Sequence, residues 1–336
     1  MSEYGLSVFH DGKSLNLSHA SPLTFIDMIE MKKKNEVLGQ KWNFHKANSA
    51  SVDYSDRCPP GSQLFCLCER QFWLIKTPSL WPIRFYIDIQ DRTVRLSNEV
   101  IRKGDLLLDK PGNIYVFAIY PTMTSFDGYG LGIYGAGAFP LVVDPSKGMF
   151  MTYKADITFT GNMKIPVSRN SLVFFHCDAV DVGVEYNPDT QQLSGYRYEG
   201  GGVSQAIAVR MKIVAFDIKA PTMSDYGIAI YGRDGKVAFT SNEVPMLVRG
   251  YVNTPPERNA TIGLPNWHQG PMIPAFTWGI WHKERRGYKA NAGMSSVGIT
   301  GGPGPFLHDV GKFTPDGTTI IYANKPLPVL WASDYF

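Results

Sequence analysis

The chain has 336 residues, the length of about two average domains. Its 33 glycines and 23 prolines, with a charged fraction of only 19%, disfavour helical bundles and coiled coils. A hydrophobic fraction of 44% excludes wholesale disorder, because such a chain can bury enough surface to offset its ordering entropy. The formal net charge of +3 is too small to indicate a nucleic-acid partner.

The sequence also argues against membrane insertion and secretion. No apolar run approaches the roughly 18 residues of a transmembrane helix, and the longest uncharged stretch, Gly128–Val143, is interrupted by glycines and Pro140. No basic segment near the start leads into an apolar one. We expect a protein that is made and folded in a cytoplasm.

The first predicted element is a β-hairpin that recurs along the chain. Its opening strand, Tyr4–Phe9, is repeated as Tyr129–Tyr134 and as Tyr226–Tyr231. Apolar residues alternate with small or polar ones in these segments, as in a half-buried strand. Between the first and third copies the match extends downstream at a constant offset of 223 positions, for example from Asp11 to Asp234.

Turn chemistry supports the hairpins. Asp-Gly is a strong hairpin turn, because glycine adopts a positive φ without a steric clash. We therefore predict that Gly12, Gly235 and Gly317 occupy hairpin turns. The third turn belongs to a degenerate copy that includes the strand-like Thr319–Tyr322.

A second correspondence precedes the two later copies. Val116–Ile119 leads to Pro121-Thr122-Met123, and Val214–Ile218 leads to the same triplet 100 residues further on. We interpret this as a duplicated unit of strand, proline-led corner, strand, turn and strand.

These signals predict an all-β fold of tandem β-sandwich-like domains, built from repeated hairpin units with little helix. The predicted domains are residues 1–105, residues 106–255 with the duplicated unit, and the aromatic-rich residues 256–336. In Phe25–Leu38 we predict a strand for the first part only. The glycine-rich Asn291–Pro305 is expected to be a long surface loop. Other predicted strands are Arg84–Ile89, Ile114–Tyr120, Met151–Thr160, Ser171–Phe175, Gln205–Ile218 and Phe276–Trp281.

The four cysteines are too few for a disulfide scaffold. Cys66 and Cys68 would share a strand face at the limit of disulfide geometry. A metal site that uses Cys58, Cys66 and Cys68 with one distant ligand stays open, although the paired C-x-x-C spacing of zinc sites is lacking. Buried thiols are the favoured interpretation, so no cofactor or metal is predicted.

Motifs for catalysis are mostly missing. Gly130-x-Gly132-x-x-Gly135 matches the dinucleotide fingerprint as a string, but no helix can start after it. His176 and Cys177 are neighbours on a predicted strand and would point to opposite faces, so they cannot form a dyad with each other.

Four carboxylates could in principle flank a glycosidic bond, although solvated strand ends explain their spacing better. These are Asp88, Asp178, Asp181 and Glu185. We predict no catalytic or cofactor-binding residues, and no hydrolysis of peptides, esters or polysaccharides.

Aromatic residues accumulate in the last third of the chain. Trp278 and Trp281 would face opposite sides of a strand, so one of them could be exposed. Tryptophan and tyrosine favour protein interfaces and sugar platforms, and a packed core between sheets is the alternative. The interface candidates are Trp267, Trp278, Trp281, Tyr288, Trp331, Tyr335 and Phe336.

The motif Tyr-Gly-Leu-x-Val-Phe, followed by Asp-Gly-Lys, then by a serine and a proline before a hydrophobic strand, resembles small β-rich virion proteins of long-tailed bacteriophages. These are encoded beside the tail-tip and tail-fibre genes. The match covers Tyr4–Phe25 and Tyr226–Val248, and the first half of Tyr129–Val143.

This resemblance implies a non-enzymatic structural component of the virion, associated with the tail tip or a tail fibre and with a role in host attachment. The implied partners are other tail proteins, further copies of the chain in a symmetric assembly, and a host-surface receptor. A carbohydrate-binding module or hydrolase acting on host glycans, or a capsid decoration protein, remains the alternative.

Overall fold

The computed structural model describes the chain in segments that contain 31 β-strands, two short 3-10 helices and no α-helix. The all-β prediction is confirmed. The described residues are 7–10, 13–16, 21–22, 24–29, 49–68, 72–76, 80–98, 106–107, 113–119, 132–133, 139–140, 148–199, 202–205, 207–223, 229–231, 237–255, 260–283, 286–295, 298–309, 319–321 and 326–336.

The strands fall into three successive units, and each unit begins with a two-stranded hairpin. Unit 1 contains β1 (Ser7–His10), β2 (Lys13–Asn16), β3 (Ser21–Pro22), β4 (Thr24–Ile29), β5 (Ser49–Asp53), β6 (Gln63–Cys68), β7 (Phe72–Lys76), β8 (Leu80–Gln90), β9 (Thr93–Asn98), β10 (Leu106–Leu107) and β11 (Ile114–Ile119). Unit 2 contains β12 (Gly132–Ile133), β13 (Phe139–Pro140), β14 (Met149–Thr160), β15 (Asn162–Lys164), β16 (Leu172–Cys177), β17 (Gly183–Asn187), β18 (Gln192–Glu199), β19 (Gly202–Ser204) and β20 (Ala208–Ile218). Unit 3 contains β21 (Ala229–Tyr231), β22 (Val237–Thr240), β23 (Leu247–Val248), β24 (Gly250–Val252), β25 (Thr261–Gly263), η1 (Trp267–Gln269), β26 (Pro271–Pro274), β27 (Thr277–Lys283), β28 (Arg286–Met294), β29 (Gly298–Asp309), β30 (Thr319–Ile321), β31 (Leu327–Trp331) and η2 (Ala332–Asp334).

Each unit builds the same three-stranded antiparallel arrangement around its last strand. In unit 1, β11 lies between β4 and β6; in unit 2, β20 lies between β14 and β16; in unit 3, β31 lies between β24 and β26. The repeat detected in the sequence therefore extends from a hairpin motif to a whole topological unit.

The second sheet of each unit follows the same plan. Its strand order is β10-β7-β8-β9-β5 in unit 1 and β30-β27-β28-β29-β25 in unit 3, while unit 2 has the shorter order β15-β18-β17 with β19 beside β18. The divisions placed at residues 105 and 255 cut across this plan, because they separate β11 from β4 and β24 from β31.

Units 2 and 3 share both of their sheets. Phe174 of β16 pairs with Pro274 of β26, and Gly183 of β17 pairs with Gly293 of β28. The result is a six-stranded sheet facing a nine-stranded sheet, and apolar residues of both, such as Phe174 and Trp278, form one core.

Unit 1 forms a separate sandwich core between its two sheets, with Val116 from the three-stranded sheet and Val94 from the five-stranded sheet. Residues that alternate with these along the three-stranded sheet, such as Phe117 and Leu67, belong instead to the core of units 2 and 3. This sheet is therefore buried on both faces, which explains its unbroken run of apolar residues in β11.

The three Tyr-Gly segments all contribute the first strand of a hairpin, namely β1 with β2, β12 with β13 and β21 with β22. Downstream, β3 pairs directly with β23, so the first and third copies of the motif also contact each other. Gly12, Gly235 and Gly317 lie outside the described residues.

The loop predicted for Asn291–Pro305 is wrong. This segment contains the end of β28 and the first half of β29, and Gly301–Gly304 is buried. A Cβ built on Gly302 would overlap the backbone of Gly183. The glycines thus allow β29 to approach β17 at backbone contact distance, which side chains would prevent.

Candidate functional site

A groove opens between units 2 and 3, with a volume of about 610 Å³. Tyr196, Gly202, Val203 and Gln205 line the side formed by β18 and β19, and Arg286, Tyr288, Pro305 and Phe306 line the side formed by β28 and β29. Neither unit contains the groove alone.

Tyr288 forms the floor of the groove and belongs to a cluster of aromatic rings that meet edge-on or tilted. Trp281 pairs with Tyr288 across the β27–β28 hairpin, and their ring centroids are 5.4 Å apart. Tyr198 meets Trp281 edge-on at 5.0 Å. Phe306 contacts Tyr288 at 6.0 Å, and it is 50% exposed whereas Tyr288 is 3% exposed. An exposed ring is therefore held on a buried aromatic support.

Polar groups surround this floor. Tyr196 shares side-chain hydrogen bonds with Ser194 and Gln205. Burial and the nearby Glu185 carboxylate hold the pKa of Tyr196 above its ordinary value, although these hydrogen bonds lower it. The Tyr196 hydroxyl consequently stays neutral and keeps its proton near neutral pH.

Among the described residues that line the groove, Arg286 is the charged one. Glu185, the carboxylate that acts on Tyr196, forms a mostly buried ion pair with Lys289 and is thereby neutralised. Arg286 is exposed at the start of β28, two residues before Tyr288 and on the same strand face. The ion pairs found within the described ranges use other arginines.

The predicted interface residues do not form an exposed aromatic surface. Trp278, Trp281, Tyr288 and Tyr335 are at most 3% exposed within their own chain. Trp331 and Phe336 are half-buried, and the side chain of Trp267 lies outside the described set. Trp278 and Trp281 do face opposite sides, but one enters the main core and the other the aromatic floor of the groove.

The C-terminus is packed against unit 3 and the six-stranded sheet. The Tyr335 hydroxyl accepts a hydrogen bond from the Leu247 backbone N–H at 3.0 Å, and its ring contacts Phe216 edge-on at 5.5 Å. The Arg249 guanidinium makes two hydrogen bonds to the Asp334 carboxylate, at 2.8 and 2.7 Å. Tyr335, one of the predicted interface residues, is therefore packed within its own chain.

The cysteines are all buried and none forms a disulfide. Cys58, Cys66 and Cys68 belong to the apolar core of unit 1. Within the described ranges, no group of three His, Cys, Asp or Glu side chains is arranged to hold a metal ion.

His176 and Cys177 point to opposite sides of β16, as predicted. Nδ1 of His176 lies 2.9 Å from the Pro271 carbonyl, and Nε2 lies 3.2 Å from the Asp178 carboxylate. Burial raises the pKa of the Cys177 thiol to about 11, so this thiol stays protonated and weakly nucleophilic at neutral pH.

The four carboxylates considered for glycoside chemistry have separate environments. Glu185 is buried against Lys289, Asp178 contacts His176, and exposed Asp88 accepts a hydrogen bond from Gln90 at 3.0 Å. Asp181 is exposed in a left-handed backbone conformation with φ of 58°. Gly132 of the dinucleotide-like string pairs with Pro140 in a hairpin, and Gly130 and Gly135 lie outside the described residues.

Sequence reasoning identified Tyr288 but missed Phe306, Arg286, Gln205 and Tyr196. Phe306 carried one usable signal: it is a large aromatic side chain directly after a run of glycine and proline, which offers little side-chain volume to cover it. The other three are brought to the groove only by the contact between units 2 and 3.

In the described part of the chain, no helix has the length and apolar character needed to cross a membrane. Comparison with curated proteins and with solved structures found no match. A family model matches residues 5–315, which include units 1 and 2 and unit 3 as far as β29. The chain belongs to this family, DUF6453, a family of unknown function.

Proposed function

We propose that the protein is a non-enzymatic structural component of a tailed-bacteriophage virion, associated with the tail tip or a tail fibre. The observation that carries the proposal is the threefold unit: the Tyr-Gly motif behind the resemblance opens every unit, and a sandwich-type sheet follows it each time. Repeated β-sandwich units suit a structural or spacer role, since neighbouring units cover each other's edge strands.

The proposed partners are other tail proteins, with further copies of the chain in a symmetric assembly and a host-surface receptor at its exposed end. The C-terminal aromatic residues Trp278, Trp281, Tyr288 and Tyr335 are buried within their own chain. We therefore expect these contacts to use exposed surface, which includes the groove between units 2 and 3.

The test is to locate the chain in purified particles of the source phage by mass spectrometry and cryo-EM. Density for the three units at the tail would support the proposal, and density on the capsid would support a decoration role instead. The proposal would be contradicted if the protein were absent from wild-type particles and if a phage that lacks its gene assembled and infected normally.

A hydrolase acting on host glycans is the competing function, and it is tested separately. The purified chain is incubated with bacterial surface polysaccharides, and products are measured by reducing-end assay. Cleavage that is abolished by Glu185→Gln or Asp178→Asn would overturn the non-enzymatic proposal. We expect the protein to cleave none of these polysaccharides.

A further inference from the structure

We propose that the groove between units 2 and 3 is a binding site for an acidic saccharide, recognised through one carboxylate and one apolar sugar face. The site combines an exposed aromatic ring, one guanidinium and hydroxyl and amide groups around a buried aromatic floor. This inference goes beyond a place in the virion, because it concerns the ligand chemistry of the isolated chain.

The groove has the dimensions of a ligand site. Its volume of about 610 Å³ falls within the roughly 300–1,000 Å³ that small-molecule sites occupy. Its polar and apolar lining residues are mixed, with Phe306 and Val203 beside Tyr196, Gln205 and Arg286. A purely apolar ligand would leave the hydrogen-bonding groups of Tyr196, Gln205 and Arg286 unmatched.

Phe306 is the feature that favours a sugar ring. Half of this large apolar side chain is exposed, whereas Tyr196, Trp281 and Tyr288 nearby are at most 8% exposed. Its contact with Tyr288 holds the ring in place, so binding would not have to immobilise a mobile side chain. The C–H face of a pyranose can cover such a ring while its hydroxyl groups remain available for hydrogen bonds.

The polar groups match the edge of the same ligand. Tyr196 is kept neutral by burial and by Glu185, and it is oriented through its hydrogen bonds to Ser194 and Gln205. A neutral hydroxyl and an amide can each donate and accept hydrogen bonds, as vicinal sugar hydroxyls require. The buried Glu185–Lys289 pair neutralises itself, so among the described residues of the lining Arg286 carries the charge that would select the ligand.

A guanidinium can pair with a carboxylate or a phosphate, and the rest of the lining favours the carboxylate. A planar guanidinium binds a carboxylate with two parallel hydrogen bonds. Phosphate sites in proteins commonly add a helix N-terminus or a nest of backbone N–H groups, and the described lining comes from strands without either. A uronic-acid or sialic-acid sugar has the required carboxylate on an otherwise uncharged ring.

The test uses the full chain and intrinsic tryptophan fluorescence, since the Trp281 ring contacts Tyr288, which lines the groove. The probes are tri-galacturonic acid, sialyl-lactose and the neutral trisaccharides galactotriose and maltotriose, each titrated to millimolar concentration and checked by isothermal calorimetry. We expect saturable binding of at least one acidic probe, and binding of the neutral probes that is at least about tenfold weaker.

Two variants assign the binding to the groove. Phe306→Ala and Arg286→Gln should each lower the affinity for the acidic probe about tenfold or more. Arg286→Gln should also abolish the preference for acidic over neutral probes. The controls are Met223→Ala, which removes another exposed apolar side chain, and Arg169→Gln, which removes an exposed arginine elsewhere.

Unchanged melting temperatures would show that all four variants fold. Failure of every acidic probe to bind would overturn the proposal. Equal binding of neutral probes, or binding that survives both groove variants, would do the same. None of these results depends on whether the chain is found in a virion.

Discussion

Arg249 and Asp334 form a bidentate ion pair that joins the start of β24 to the last turn of the chain, with side chains that are 4% and 11% exposed. The Arg249 guanidinium also lies 5.1 Å from the centre of the Trp331 ring. Removing either partner of a buried ion pair strongly destabilises a protein. We therefore expect this pair to hold the C-terminal residues in place.

Asp334→Asn should destabilise the protein by about 3–5 kcal/mol, because it removes the carboxylate charge that pairs with the buried Arg249 guanidinium. The measurement is the free energy of unfolding from urea denaturation. Asp189→Asn is the matched control, since its partner Arg169 is 54% exposed and surface pairs contribute at most about 1 kcal/mol. Equal effects of the two variants would show that the Arg249–Asp334 pair is not a structural element.

Tyr335 should give the unfolding free energy an alkaline pH dependence. Burial holds its pKa above the ordinary value of 10.0, so the folded state keeps the phenol proton longer than the unfolded state. This contribution is fully present below pH 10 and is lost as the pH rises above it. Denaturation at several values between pH 8 and 11 measures the slope, and Tyr335→Phe should reduce it.

The same variant should also cost about 1–3 kcal/mol at pH 8, because the Leu247 N–H loses its buried acceptor. A residual slope is expected from Tyr54, whose pKa is likewise raised by burial and by Asp27. A Tyr335→Phe protein with the full wild-type slope and stability would contradict this account.

Gly183→Ala should prevent the close approach of β17 and β29. The added Cβ would overlap the Pro303 carbonyl oxygen and the Gly302 backbone, which cannot move aside as a flexible side chain could. We expect a loss of about 1–3 kcal/mol or more, measured by thermal and urea denaturation. Gly250→Ala is the control because a Cβ added there would have nothing within 4 Å. A comparable loss of stability in this control would indicate that the replacement of glycine, and not a packing clash, is responsible.

Trp281→Ala should behave as a core substitution and not as an interface substitution. Its ring is 3% exposed between Tyr198 and Tyr288, so its removal should cost about 3–5 kcal/mol. Phe306→Ala, which truncates the exposed ring of the same cluster, should cost much less. If Trp281→Ala left stability unchanged but disrupted assembly, Trp281 would belong to an interface after all.

Local sequence signals were sufficient for the fold class and for part of the repeat. Alternating apolar residues and proline or glycine at strand ends depend on neighbours a few positions apart, so the strands β14, β16 and β20 and the Tyr-Gly hairpins could be identified without tertiary information. Aromatic enrichment in the last third of the chain also pointed to Tyr288 and Trp281, but their pairing across the β27–β28 hairpin depends on the register of that hairpin.

Long-range contacts decided the rest. The pairing of β16 with β26 and of β17 with β28 joins residues about 100 positions apart, and nothing local to either strand encodes its partner. That pairing determines which faces are buried, and it turns a glycine-rich stretch that resembled a loop into a buried strand. It also brings Tyr196 and Gln205 of one unit opposite Arg286 and Phe306 of the next. Local patterns were thus enough to identify the repeated β-units, whereas the groove depends on long-range pairing, because a groove between units exists only where their edges meet.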